Sequence, residues 1–302
     1  MTGKYGRSAL WEQYNRTHVT RETTHELAGF KSGAPNFKMA LWDPKPNGVR
    51  YLKTLIYNLA EQLSPDAKAA LRRIRHREVG DPISVRVDGE PVCLDYLQAV
   101  LELEFVTGHV ELTGARVVEI GAGYGRTCHA FLSNHDLSAY YIVDLDNSLT
   151  LAEAYLGAVL TEEQFAKVGF VRVDDVEDFF ATARFDLCVN IDSFAEMDAA
   201  TVLAYLALVD RSCRYCYIKN PVGKYLDKTL DSHSQGAELV ELALRTGLAR
   251  DVLDIHDSDA VAEHGTKFVA TYRPGPWWTD VAAGRALPWS YYWQVLYRRA
   301  RP

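Results

Sequence analysis

The chain has 302 residues, a net charge of −7, five cysteines and an apolar content of 48%. That is enough apolar material for a sizeable core, while the acidic balance, with one short basic run from Arg72 to Arg77, argues against a nucleic-acid partner. The polar start at residues 1–7 does not read as a secretory leader, and no apolar run approaches the ~18 residues of a bilayer span. The odd, scattered cysteines read as reduced thiols of a cytoplasmic protein, including the Cys213/Cys216 pair, which has no second ligand pair.

In chain order, Leu10, Trp11 and Tyr14 are spaced for one helix face. Residues 20–28 suggest a second short helix, and residues 31–46, broken by Gly33, Pro35, Pro44 and Pro46, read as loop. Residues 49–63 predict a helix, because Leu52, Leu55, Ile56, Leu59 and Leu63 recur at helical spacing. Ser64 then caps a helix that has Pro65 at its first position and runs to about His76. Residues 83–87 and 90–92 flank Asp88-Gly89, a tight hairpin signal, and residues 94–106 predict a further helix. Residues 1–110 are thus expected to be a mostly helical region that roofs the substrate site.

From Arg116 to Arg126 the sequence reads RVVEIGAGYGR: an apolar strand, three alternate glycines, then a helix pattern. This is the start of a nucleotide-binding α/β unit. Gly121 and Gly123 permit a sharp turn and close approach to a ligand. In the dinucleotide fingerprint the third glycine comes one residue later; here Gly125 is early and Arg126 follows it. Strands are expected at 117–120, 139–143, 170–173, 185–190 and 215–219. Helices are expected at 127–134, 148–160, about 198–209 and 237–246, the last closed by Gly247. Residues 252–256 and 268–272 read as the last two strands, with no helix between them, which suits an antiparallel final strand. The alternation predicts an α/β fold with a doubly wound, seven-stranded sheet over residues 111–275. The aromatic tail of residues 276–302 (Trp277, Trp278, Trp289, Tyr291, Tyr292, Trp293, Tyr297) reads as a packing surface against the body or a second subunit, with a ligand platform as the alternative.

Ligands of such sheets sit beyond the carboxyl ends of the strands. Asp144 ends the second strand at the offset of an acid that takes the two ribose hydroxyls. At the end of the third strand Asp174 or Asp175 can accept from an adenine amino group while Val176 packs on the ring; Asp175, beside Val176, is the choice. The fourth strand ends in the polar stretch Asn190, Asp192, Ser193 and Glu196, and the long loop after the fifth holds Lys224 and His233. An alcohol must lose its proton to act as a nucleophile, so a base is wanted. Asp192 is the first candidate, His233 the second, and Glu196 is expected to orient substrate.

The motif EIGAGYGR at 119–126 resembles motif I of the class I S-adenosylmethionine (SAM) methyltransferases. Together with YIVDL at 141–145 and NIDSFAEM at 190–197, it is similar to the bacterial sugar O-methyltransferases. The resemblance covers about residues 110–220. It implies a Rossmann-like class I methyltransferase sheet and SAM as cofactor, with Glu119 near the methionine end and Gly121, Ala122, Gly123, Gly125, Asp144, Leu145, Asp175, Val176 and Asn190 around the ligand. It further implies methyl transfer to a hydroxyl of a sugar or of a glycosylated or polyhydroxylated small molecule in natural-product or polysaccharide pathways. N-methylation of an amino sugar or aminocyclitol is the rival, and a non-catalytic SAM-binding protein a more distant one. No spacing demands a metal. A small-molecule partner is expected, and a homodimer is plausible from the aromatic tail and the helical region.

Overall fold

The computed structural model describes residues 8–20, 30–226 and 236–300. They form two compact units, residues 1–58 and 59–302. The first contains α1 (Ala9–Thr17), α2 (Ala34–Met39) and most of α3 (Pro44–Glu61). Ser8 caps α1, its hydroxyl accepting from the Trp11 amide at 3.3 Å. Residues 31–46 are therefore not a loop throughout. Pro35 and Pro44 sit in first turns, where the amide that proline lacks has no partner within the helix, so they start helices instead of breaking them. Apart from Thr20, the helix expected at residues 20–28 lies outside the described residues.

The second unit opens with α4 (Pro65–Arg73), where the Ser64 hydroxyl accepts from the Ala67 amide at 3.0 Å. The hairpin β1 (Ser84–Val87) and β2 (Glu90–Cys93) turns through Asp88 at φ 51° and Gly89 at φ 81°, as the Asp-Gly pair predicts. The helix α5 (Leu94–Thr107) follows; Leu97, Ala99, Val100, Leu103 and Val106 are buried on it.

The main sheet comprises β3 (Arg116–Ile120), β4 (Ala139–Asp144), β5 (Val168–Arg172), β6 (Phe185–Ile191), β7 (Cys213–Pro221), β8 (Trp278–Arg285) and β9 (Tyr292–Arg299). Their order is β5-β4-β3-β6-β7-β9-β8. The first five strands pair in parallel, and β9 runs antiparallel between β7 and β8. Helices α6 (Arg126–Asn134), α7 (Asp146–Val159), α8 (Glu162–Phe165), α9 (Val176–Thr182), α10 (Ala199–Ser212), α11 (Ala237–Arg245) and α12 (Ser258–Thr271) link the strands. The short helices α8 and α9 carry too few turns to show a helical period, and the sequence pattern did not reveal them. The architecture is a doubly wound, seven-stranded, Rossmann-like α/β sheet, as the alternation of strands and helices predicts. Val117, Val118 and Ile120 of β3 are fully buried, which suits a strand covered on both faces.

The last two strands are not where the sequence pattern placed them. Residues 252–256 contribute only an isolated bridge, Lys224 to Val252, and residues 268–272 belong to α12 and its cap. Val261, Gly265 and Phe268 are buried along α12, a spacing of four and three, so the short apolar run was one turn of a helix face. The real strands are the aromatic stretch, and the sheet extends to residue 299. Trp278 and Tyr297 are buried in it; Trp278 Nε1 donates to Asp210 at 2.7 Å and the Tyr297 hydroxyl to the Val269 carbonyl at 2.7 Å. All five cysteines are buried and free. Among the described residues no helix is long and apolar enough to cross a membrane.

Candidate active site

The three glycines after β3 all have positive φ, 75°, 58° and 91°, but their surroundings differ. A Cβ on Gly121 would stand 2.1 Å from Ser193 Oγ, and one on Gly125 would stand 2.9 Å from Leu156 on α7. Gly125 thus lets two helices meet and caps α6. A Cβ on Gly123 would meet nothing within 4 Å, so the turn presents an open side there. The Gly123 amide donates to Asp144 Oδ2 at 2.9 Å and the Leu145 amide to Oδ1 at 2.7 Å, which fixes the half-buried carboxylate beside the turn.

Gly121, Ala122 and Gly123 border a cavity of about 420 Å³, within the usual range for ligand sites. Glu119 lies at its root and is 2% exposed, accepting from the Tyr140 hydroxyl at 2.8 Å. Burial pushes its carboxyl up to about 7, against the pull of the Tyr140 and Thr127 hydroxyls and of Arg126.

Beside it lies a buried ion cluster that sequence reasoning did not assemble. Glu102 on α5 accepts from Arg126 at 2.9 Å and from Lys219 Nζ at 2.7 Å. Lys219 also reaches Gln98 Oε1 at 3.3 Å, which accepts from the Trp289 indole at 3.1 Å. The Tyr124 hydroxyl donates to Asp95 at 3.1 Å. Burial depresses the Lys219 ammonium and Glu102 opposes that. Asp95, Gln98, Arg126, Lys219 and Trp289 all line the cavity. The one sequence clue was Glu102 itself, a charge on an otherwise apolar helix face.

Asp192 occupies a different position. It lines this cavity and also a second, of about 500 Å³, as do Tyr291 and Tyr292. Its backbone has φ 68° and ψ −39°, a conformation that costs a non-glycine residue on the order of 1–3 kcal/mol and that recurs at functional sites. The Asp192 amide donates to the Lys219 carbonyl at 2.8 Å, and Tyr292 donates its hydroxyl to Asp192 Oδ1 at 2.7 Å. Glu196 and Lys224 line the second cavity. Burial and the charge of Asp192 raise the Glu196 carboxyl, and burial lowers the Lys224 ammonium.

The remaining expected residues separate. Asn190 is fully buried and lines neither cavity; Nδ2 donates to the Ile120 carbonyl at 2.9 Å and to Ser193 Oγ at 2.6 Å, and Oδ1 accepts from Asn220 at 2.8 Å. It braces the glycine turn from beneath. Asp174 pairs with Arg172 at 3.7 Å, whereas the exposed Asp175 carboxylate has no hydrogen bond or ion pair among the described residues. Val176, half-buried, starts α9 directly after it. Leu145 is 63% exposed beside Asp144. Asp198 holds the N-cap position of α10 without a side-chain cap bond. His233 lies outside the described residues. Among those described, no group of three or more His, Cys, Asp or Glu side chains is arranged to hold a metal.

No protein-family model and no curated protein matches the sequence. The chain resembles the solved structure of the mitomycin 7-O-methyltransferase MmcR with a TM-score of 0.41 and 14% identity, over 68% of this chain and 56% of that one. It resembles the pyocyanin biosynthetic protein PhzM with a TM-score of 0.41 and 14% identity, over 95% and 71%. For an O-methyltransferase family protein from Burkholderia thailandensis the TM-score is 0.40 and the identity 14%, over 68% and 58%. The chain thus spans little more than half the length of the first and third of these. The likeness is one of fold; the chemistry lies in the site's own residues. Of the residues expected at an adenosyl cofactor, Gly121, Ala122 and Gly123 border the first cavity, with space at Gly123 that a Cβ would fill; Asp144 is fixed beside Gly123 but, like Asp175, lines neither cavity.

Proposed function

We propose that the protein is a SAM-dependent methyltransferase acting on a hydroxyl of a sugar or of a glycosylated or polyhydroxylated small molecule, in natural-product or polysaccharide biosynthesis. The observation that carries this reading is the position of Asp192 on the wall of both cavities, one bordered by the glycine turn and the other by Glu196 and Lys224. In this reading Asp144 takes the ribose hydroxyls, Asp175 and Val176 the adenine, and Glu119 lies toward the methionine end. The bound cofactor supplies an electrophilic methyl group.

The chain's own residues do the rest. Asp192 takes the proton of the acceptor hydroxyl as the oxygen becomes a nucleophile, a contribution on the order of 10²–10⁴-fold. Tyr292 holds Oδ1, which leaves Oδ2 for that proton. Glu196 and Lys224 orient the acceptor, and the aromatic side chains of Trp289, Tyr291 and Tyr292 exclude water. The acid pair Asp192 and Glu196 also suits a cationic acceptor, which favours N-methylation of an amino sugar or aminocyclitol as the second reading.

Calorimetric titration with SAM, followed by a methyl-transfer screen over paired alcohol and amine acceptors, tests both. Saturable SAM binding that Asp144→Ala weakens, with a methyl ether as product, is expected. An N-methyl product selects the second reading, and no SAM binding removes both.

A further inference from the structure

The second cavity is not built like a site for a bare polyol. Helix α11 carries no buried side chain, yet Leu239, Val240, Leu242 and Ala243 line the cavity. Leu239 is 47% exposed and Leu242 53%. An amphipathic helix normally lays its apolar face on core; here, among the described residues, that face borders the cavity. The rings of Tyr225 and Tyr291 meet edge to face at 5.6 Å, and those of Tyr291 and Tyr292 at 5.1 Å, adding more apolar surface to the lining.

The charged groups are few and close together. Glu196 and Lys224 are near enough to Asp192 to feel its charge. Lys224 Nζ is already tied to the Ala195 carbonyl at 2.9 Å and to Thr246 Oγ1 at 3.1 Å. A sugar carries hydroxyls around its whole ring. Placed wholly in this cavity, it would set several of them against leucine and leave them without partners, at a cost that a mixed molecule avoids.

We infer that the acceptor is a glycoside with an apolar aglycone: its sugar meets Asp192 and Glu196, and its aromatic or alkyl body lies against α11 and the tyrosine rings. The assignment of the sugar end rests on the methyl-transfer reading; the apolar subsite does not. The subsite explains why a short helix keeps leucines that cover no core. It also makes the aglycone, and not the sugar alone, a determinant of selectivity.

The test measures binding, separately from turnover. The full chain, saturated with S-adenosylhomocysteine, is titrated with glycoside pairs that share a sugar and differ in aglycone: 4-nitrophenyl and methyl glucosides, galactosides and rhamnosides. At least one 4-nitrophenyl glycoside binds ~10-fold or more tightly than its methyl partner. Leu242→Asp, a surface substitution, removes that advantage and leaves S-adenosylhomocysteine binding unchanged, while Leu242→Met keeps it. Equal binding within every pair, no binding by any aryl glycoside, or an aryl preference that survives Leu242→Asp overturns the inference. If S-adenosylhomocysteine fails to bind but the aryl preference and its loss in Leu242→Asp persist, the methyl-transfer reading falls and the apolar subsite stands.

Discussion

Tyr292 donates its hydroxyl to Asp192 Oδ1 at 2.7 Å across 100 residues of chain. The antiparallel strand β9 makes this possible, because it sets Tyr292 opposite Pro221 at the end of β7. The bond holds one oxygen of a carboxylate whose backbone is already in a costly conformation. Replacing the hydroxyl alone, Tyr292→Phe, is expected to lower kcat by about tenfold through lost orientation, with the affinity for S-adenosylhomocysteine unchanged. Single-turnover kinetics beside calorimetry checks the split; a loss of cofactor affinity with normal kcat contradicts it.

The glycine turn gives a contrast within three residues. Gly121→Ala drives a Cβ to 2.1 Å from Ser193 Oγ and breaks the brace under the turn, so a loss of about 3 kcal/mol or more in unfolding free energy is expected. Gly123→Ala meets no atom within 4 Å and costs only the backbone penalty of about 1–2 kcal/mol. The bound cofactor would meet the new methyl group, so Gly123→Ala is expected to fold and to lose at least ~10-fold in SAM affinity. Denaturant melts with calorimetry distinguish the two variants.

The sequence carried the turn because glycine conformations are local, and it carried Asp144 because that acid lies at a fixed offset from the turn. Side-chain direction was a different matter. Asn190 was placed correctly at a strand end, but nothing in the strand pattern shows that its amide turns inward to Ile120 and Asn220. The ion cluster joins Glu102 to Lys219 across 117 residues and to Arg126 across 24, pairings that no local spacing encodes. The final strands were hidden by their own composition. The run at 268–272 is too short to separate helix from strand, while the aromatic stretch that forms β8 and β9 read as a tail packed against the body or a second subunit.

The raised Glu119 carboxyl gives a pH dependence with a definite sign. Folding lifts it from the ordinary 4.5 to about 7, so between those values the native chain binds more proton than the unfolded one. Its contribution to stability therefore falls as pH rises through that window and stays lost above it. Glu119→Gln removes the charge, and its unfolding free energy relative to the parent should rise between about pH 5 and about pH 8 by on the order of 1–3 kcal/mol. Urea unfolding at both pH values measures it; a constant difference contradicts the assignment.

Glu102 is the carboxylate shared by Lys219 and Arg126. Glu102→Gln leaves Lys219 and Arg126 without their carboxylate partner and should cost about 3–5 kcal/mol. Adding Lys219→Met to that variant removes one stranded charge and should recover part of the loss, a non-additivity that a double-mutant cycle reads directly.

In the proposed reaction Asp192 joins the donor and acceptor cavities as the base. The most direct test is Asp192→Ala, measured for SAM affinity and for single-turnover methyl transfer to an accepted glycoside. SAM binding within about twofold of the parent and a transfer rate lower by on the order of 10²–10⁴-fold are expected. An unchanged rate of transfer, with the variant folded and SAM bound, would contradict that role.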